Sequence, residues 1–345
     1  SKLVDKENQE PPLVVTSIQK MSRVDGDDPS LAADIQVIND KRLMFIVDEA
    51  HRSTFGTMMN TIKKTFPNAL FFGFTGTPIR EGNEKKDSTT ATIFGDELHR
   101  YSIADGIRDE NVLQFDLHQV DTYLPYDLRK AVALNKARAK TPEGAMADPE
   151  KAKIYSHYMD SSKVPQAGYT DKNGTYVKGI EDMVPTIQYK QDEHRRAVVD
   201  DIGREWTTRS RGSMFHAILA TSSIPEAIEY YSLFKEMYPE LKVTTLFDPH
   251  GEEGDLRIAK EGALSEILGD YNNAYGMSFT HASHSRFKED IALRLAHDKP
   301  YDHGITATSN SRLDLVIVVD QLLTGFDAKW VNTLYLDKVL RYESV

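Results

Sequence analysis

Asp48 and Glu49 stand side by side at the end of an apolar run, in the stretch FIVDEAH at residues 45–51. Two adjacent carboxylates repel, and each loses hydration if the run is a buried strand. One reading is a strand that ends in a polar turn. The other is a nucleotide site, where a magnesium ion neutralises the acids. On that reading Asp48 holds the ion, largely through water, because magnesium takes oxygen ligands and dehydrates reluctantly. Glu49 orients or deprotonates the water that attacks a terminal phosphate. His51 links the site to its neighbours by hydrogen bonds. A second polar cluster, Thr75-Gly76-Thr77-Pro78, follows the next apolar run and adds two hydroxyls and a small residue.

These residues need a frame. The runs LVVT (13–16), LMFIV (43–47) and LFFGF (70–74) are short, apolar and without clean alternation. Such runs suit strands of a parallel sheet buried on both faces. The segment 53–66 lies between the last two, with Ser53 or Thr54 to cap it and Pro67 to end it. Strand, crossover helix and strand make a βαβ unit. Ligands bind at the carboxyl ends of such strands, so both polar clusters belong on one rim.

A second set follows: MFHAILATS (214–222), a helix over 225–238 with Pro225 at its start, KVTTLF (242–247), LDLVIVVD (313–320) and NTLYLD (332–337). This predicts a second α/β sheet. Residues 121–189 are polar with scattered Gly and Pro, and read as an irregular connector or insertion. Residues 256–297 read as helical, broken by YGMSFTHASH.

The bulk numbers agree with two α/β domains. The chain has 345 residues, 40% of them hydrophobic, and a net charge of −11. The negative balance argues against a surface built for bulk binding to nucleic acid, and leaves a local basic groove open. There is no cysteine, which removes disulfides and thiolate metal sites. No apolar run reaches the ~20 residues of a membrane span. The absence of cysteine fits a cytoplasmic protein; the polar start SKLVDKENQE is no signal peptide, and it opens on Ser1, as a piece of something longer would.

VDEAH followed by TGTP resembles motifs II and III of superfamily 2 helicases and translocases. GFTGTPIREGN, then FGDELHRYSIADGIRDENVL (94–113), is similar to the motor (R) subunit of type I restriction enzymes. VVDQLLTGFDA (318–328) resembles that family's motif V, NTLYLDKVLRYESV (332–345) the approach to motif VI, and AILATSS (217–223) motif IV. VVTSIQKM (14–21) resembles the strand and turn upstream of the DEAH box. The resemblance implies two RecA-like parallel-sheet domains, the first incomplete. They would span 1–112 and 113–345, the second with insertions near 121–189 and 250–305. It implies an ATP-hydrolysing translocase on double-stranded DNA, using ATP and Mg2+. Its partners would be the methyltransferase and specificity subunits of a restriction-modification complex.

Carried onto this sequence, Asp48 would serve magnesium and Glu49 the attacking water. Thr75 and Thr77 would couple hydrolysis to movement, and Gly325 and Asp327 would reach the nucleotide from the second domain. Thr16, Ser17, Gln19, Thr221 and Ser222 would line the DNA side. Two family features are absent from these residues: a GxxxxGK[ST] phosphate loop and the arginine-bearing motif VI. The nuclease domain that precedes the motor in the family is missing too. A piece without them would not by itself be a competent ATPase. Other superfamily 2 DNA or RNA helicases remain a rival, as does a non-catalytic DNA-binding or assembly fragment. Several smaller signals read as structural. ELK (240–242) is a solvated turn, HASH (281–284) a surface loop, and the stripe Tyr230, Tyr231, Phe234, Tyr238 a core face. Arg286, Lys288 and Arg294 read as a charged outer helix face.

Overall fold

The computed structural model describes residues 13–24, 31–50, 55–79, 89–248, 255–302, 310–319, 321–322, 326 and 328–338. They form two compact units, one from the described residues before Leu117 and one within Leu117–Val339.

In the first unit, strand β1 (Met44–Val47) pairs in parallel with β2 (Leu70–Gly73), and the helix Phe55–Thr65 connects them. Met59, Ile62 and Phe66 recur at helical spacing and are buried, joined by Ile35 and Ile38 of the helix Ala32–Asn39. Phe45 of β1 stacks on Phe71 of β2 with ring centroids 4.8 Å apart. Lys63 and Lys64 lie in the helix's last turn, where cations complement its dipole. The caps expected at Ser53 or Thr54 lie outside the described residues.

Two expectations fail here. β1 is not buried on both faces: Met44 and Ile46 are 55% and 70% exposed, while Phe45 and Val47 turn to the core. Leu13 to Ser17 forms no strand; the chain there runs into a short helix, Ile18–Met21, and Leu13 and Val15 are exposed. A β-branched run becomes a strand only when it finds a ladder partner, and none is present among the described residues.

The block 94–113 has a plain physical content. Ser102 caps the helix Ile103–Arg108 in a reciprocal box with Asp105. The Ser102 hydroxyl also donates to the Asp105 carboxylate at 2.6 Å, and this bond holds the carboxyl below its usual range. The chain then folds back so tightly that a Cβ on Gly106 would lie 2.8 Å from Val112 Cγ2.

The second unit holds a four-stranded parallel sheet. A hairpin, β3 (Tyr169–Thr170) and β4 (Tyr176–Val177), precedes it in the chain. The sheet itself comprises β5 (His216–Thr221), β6 (Val243–Leu246), β7 (Leu315–Val318) and β8 (Val331–Asp337), in the order β6-β7-β5-β8. β5 and β7 are buried along their whole length, as central parallel strands should be. β8, at one end of the sheet, alternates between half-buried and exposed residues. The helix Ile224–Met237 starts at Ser223 as cap with Pro225 in its first turn. It buries Ala227, Tyr230, Tyr231 and Phe234 in the core, as the stripe predicted.

Residues 121–189 are not irregular. They fold as helices Pro125–Lys136, Pro142–Met146 and Pro149–Met159 with the β3–β4 hairpin, around Val132, Val164 and Ile180. Buried Arg129 donates to the Tyr158 and Val164 carbonyls, each at 2.9 Å, and ties the helices together. Arg294 is also a correction. It is 2% exposed, not part of an outer charged face, because Tyr275 and Tyr301 sandwich its guanidinium and Asp290 pairs with it. Residues 256–297 are helical as expected, in Asp255–Tyr275 and His284–Ala296 with the break between them.

At the start of β5, His216 and His297 form a buried pair, Nε2 to Nε2 at 2.8 Å. His216 Nδ1 bonds the Leu313 carbonyl. A carbonyl only accepts, so Nδ1 carries the proton and the neutral ring accepts at Nε2 from His297. Burial, and then the nearby His297 and Arg312 charges, hold His216 down at about 4; burial lowers His297 too. The unfolded chain takes up protons below about 6.5 while the folded chain does not. Stability should therefore be full above that pH and fall as the pH drops towards 4. The expected loss from His216 is about 2 kcal/mol between pH 7.5 and 5.0, at 1.36 kcal/mol per unit below 6.5. Urea midpoints at the two pH values, with His216→Asn as the flattened control, check it.

Candidate functional site

β1 and β2 run in parallel with Val47 opposite Gly73, and the ladder continues one step when Phe74 N–H donates to the Val47 carbonyl at 2.8 Å. A regular parallel ladder would next use the Glu49 amide. The Ala50 N–H donates to the Phe74 carbonyl instead, at 3.0 Å. Asp48-Glu49 thus holds one extra residue, a bulge at the carboxyl end of the strand. Bulges re-aim side chains and gather near active sites. Glu49 takes φ +52°, a left-handed conformation that costs a non-glycine residue about 1–3 kcal/mol. The Asp48 carboxylate accepts from the Glu49 amide at 2.9 Å through one oxygen, which locks the kink. Asp48 is exposed, Glu49 half-buried and Ala50 fully buried.

The same ladder step sets Thr75 to Thr77 beside this bulge, so the two polar clusters share one rim. Thr75 Oγ1 accepts from the Thr77 N–H at 3.1 Å. The Thr77 hydroxyl is buried and lacks a partner among the described residues. A buried unpartnered hydroxyl is costly, and it is the kind of atom a ligand oxygen would satisfy. Around Gly76, a Cβ would meet nothing within 4 Å, so the rim is open there. His51, Gly325 and Asp327 lie outside the described residues.

The residues assigned to the DNA side divide. Thr16, Ser17 and Gln19 are exposed. Ser17 caps the helix Ile18–Met21, accepting from Lys20 N–H at 3.4 Å. Ser222 is exposed, and its amide donates to the Glu226 carboxylate at 3.1 Å, so an anion already occupies that helix start. Thr221 is a correction. It is fully buried and its hydroxyl donates to the Val318 carbonyl at 3.2 Å, tying β5 to β7. Its side chain belongs to the sheet, because a buried hydroxyl must be paired inside.

One polar network went unforeseen. At the end of β8, the Asp337 carboxylate bonds His194 Nε2 at 2.8 Å and accepts from Tyr230 OH at 2.5 Å. His194 Nδ1 meets the Thr122 hydroxyl at 2.8 Å. Burial and the adjoining Asp337 push the Tyr230 hydroxyl's pKa far up. The available signal was the one used for Asp48: an acid directly after a parallel strand. The two acids differ in surroundings. Asp337 is enclosed by internal partners, and Asp48 faces solvent with its second oxygen unpartnered among the described residues.

Among the described residues, no group of three or more His, Asp or Glu could hold a metal. In HASH, His281 bonds the Ser265 hydroxyl at 2.9 Å. Lys242 of ELK donates its amide to Asp314 at 2.8 Å and is part of the scaffold. No helix among these residues is long and apolar enough to cross a membrane.

Residues 1–145 match the SWI2/SNF2 ATPase family, and residues 213–345 match type I restriction enzyme subunit R domain 3. A type I restriction enzyme endonuclease subunit of Staphylococcus aureus (strain COL) is 31% identical over 344 residues, covering 97% of this chain and 31% of the relative. One of Staphylococcus saprophyticus is 30% identical over the same shares. The HindI endonuclease subunit of Haemophilus influenzae is 24% identical over 318 residues, 88% of this chain and 24% of the relative. The chain thus spans about a third of the length of its Staphylococcus relatives. With an ATPase match on its N-terminal part, an R-subunit match on its C-terminal part, and relatives aligned along nearly all of it, the chain is similar over almost its whole length to the endonuclease (R) subunits of type I restriction enzymes.

Proposed function

We propose that this chain is part of an ATP-driven motor that moves double-stranded DNA, working in the cytoplasm beside methyltransferase and specificity subunits. The observation that carries the reading is the bulged rim, where Asp48 and Glu49 stand beside Thr75 and Thr77 at the carboxyl ends of two paired parallel strands. Asp48 fits magnesium: it is exposed, one oxygen is unpartnered among the described residues, and magnesium needs only one or two carboxylates beside waters and phosphates. The ion, when bound, supplies charge neutralisation at the nucleotide's phosphates. Glu49 is the general base for the attacking water, and its left-handed backbone sets the carboxylate's direction. The Thr77 hydroxyl, buried and unpartnered among the described residues, is the group that would sense a phosphate oxygen and pass its loss to the strand end. Gly325 and Asp327 keep the roles that the family resemblance implies for them, and His51 links the site to its neighbours by hydrogen bonds.

The test uses the full-length R subunit. Magnesium-dependent ATP turnover is measured with and without duplex DNA of unrelated sequences. We expect turnover to rise with DNA and to be indifferent to its sequence, since a motor that passes over any base cannot depend on base readout. Turnover unaffected by DNA would overturn the motor reading.

A further inference from the structure

Neither family match reaches residues 146–212, and the helical cap that begins at Pro125 runs into that stretch. Its charge is opposite to that of the chain. Residues 125–163 carry eight Lys and Arg against five Asp and Glu, in a chain whose net charge is −11. Two of those acids serve the backbone: Asp148 caps the helix Pro149–Met159, and Asp160 accepts from the Ser162 amide and pairs with Lys163. Lys136, Arg138, Lys140, Lys151 and Lys153 have no carboxylate within 4 Å among the described residues. The long helix Asp192–Arg209 behaves differently, with Arg195, Arg196, Arg204 and Arg209 all in ion pairs.

The five cations stand on a fixed platform. Arg129 pins the first helix of the cap to the end of the third, and Lys136 sits over the Tyr158 ring at 5.9 Å. The helix dipole accounts for Lys136, which lies in a last turn. It does not account for Lys151, in the first turn of the helix Pro149–Met159, where a cation is disfavoured, nor for Lys153, which lies outside both end turns. Four of the five are lysines, point charges on flexible stems. They suit a ladder of phosphates better than the bidentate recognition of single carboxylates.

We propose that the basic segment 136–153 of this helical cap binds the phosphate backbone of duplex DNA, as a contact additional to the motor's own. The proposal rests on the DNA-motor reading. It makes the cap a sequence-indifferent clamp, since phosphate contacts position a protein without reading bases.

The test is the salt dependence of duplex binding by the chain, followed by fluorescence anisotropy. Each lysine–phosphate contact adds about 0.9 to the slope of log affinity against log salt. The variant Lys140→Gln, Lys151→Gln, Lys153→Gln should lower that slope by about 2 to 3. A control of equal charge, Lys178→Gln, Lys299→Gln, Lys329→Gln, should leave it within about half a contact of the parent. Circular dichroism verifies that both variants fold. An unchanged slope in the first variant, with the parent binding DNA, overturns the clamp and leaves the motor reading standing. No binding by the parent overturns the clamp, and the DNA-stimulated turnover of the full-length subunit then decides the motor reading by itself. Competition by polyglutamate as effective as by DNA, at equal charge, also overturns it, because the surface would then answer to any polyanion.

Discussion

Glu49→Gln in the full-length R subunit should abolish DNA-stimulated ATP hydrolysis while ATP still binds. The substitution keeps the side chain's length and shape and removes its ability to take a proton. Loss of one general base costs about 10²–10⁴-fold in rate. The bulge should survive, because the bonds that shape it come from the backbone: Ala50 N–H to the Phe74 carbonyl, and Glu49 N–H to the Asp48 carboxylate. That separates this variant from Asp48→Asn, which alters the acceptor of the second bond as well as the proposed magnesium ligand. Single-turnover hydrolysis beside equilibrium binding of labelled ATP reads the two steps apart. Turnover equal to the parent's would remove Glu49 from the chemistry. Lost binding would mean that its carboxylate holds the nucleotide.

The place of Asp48 and Glu49 at the carboxyl end of a paired parallel strand was legible because the apolar run and the acids that follow it are contiguous. The bulge was not, since it depends on which of two successive amides, Glu49 or Ala50, reaches the Phe74 carbonyl. The strands of the second sheet could be read from their apolar runs, which are buried on both faces at β5 and β7. The run at 13–16 has the same composition and forms no strand, because pairing is a property of two segments and composition of one. The cap at 121–189 was misread for a related reason. Its small core draws Val132, Val164 and Ile180 from three separate places, so no single segment carries an apolar stripe. Thr221 was assigned to a surface by resemblance, whereas its hydroxyl is needed inside the sheet.

Arg294 carries the largest stability effect expected in the second unit. Its guanidinium uses every nitrogen: Nε donates to Asp290 at 2.8 Å, one terminal nitrogen to the Ser311 carbonyl at 3.0 Å, and the other to Tyr301 OH at 2.9 Å. The rings of Tyr275 and Tyr301 lie 3.9 and 4.1 Å from its central carbon, a cation–π sandwich. Asp290 accepts in turn from Tyr271 OH at 2.6 Å and from Tyr301. In sequence, Asp290 and Arg294 are an i,i+4 pair of the sort that decorates exposed helices for a few tenths of a kcal/mol. What changes their weight is Tyr271 and Tyr275, which come from the preceding helix and exclude water. Removing one partner of a buried pair leaves the other charge unpaired, and Arg294→Ala should cost about 3–5 kcal/mol. Arg294→Met with Asp290→Asn removes both charges and keeps most of the volume. It should cost clearly less than the sum of the two single changes, because neither charge is then stranded. Urea unfolding of the four proteins closes the cycle. If the double variant instead equals that sum, the two side chains act independently and the network has no cooperative role in holding the helix His284–Ala296 on the sheet.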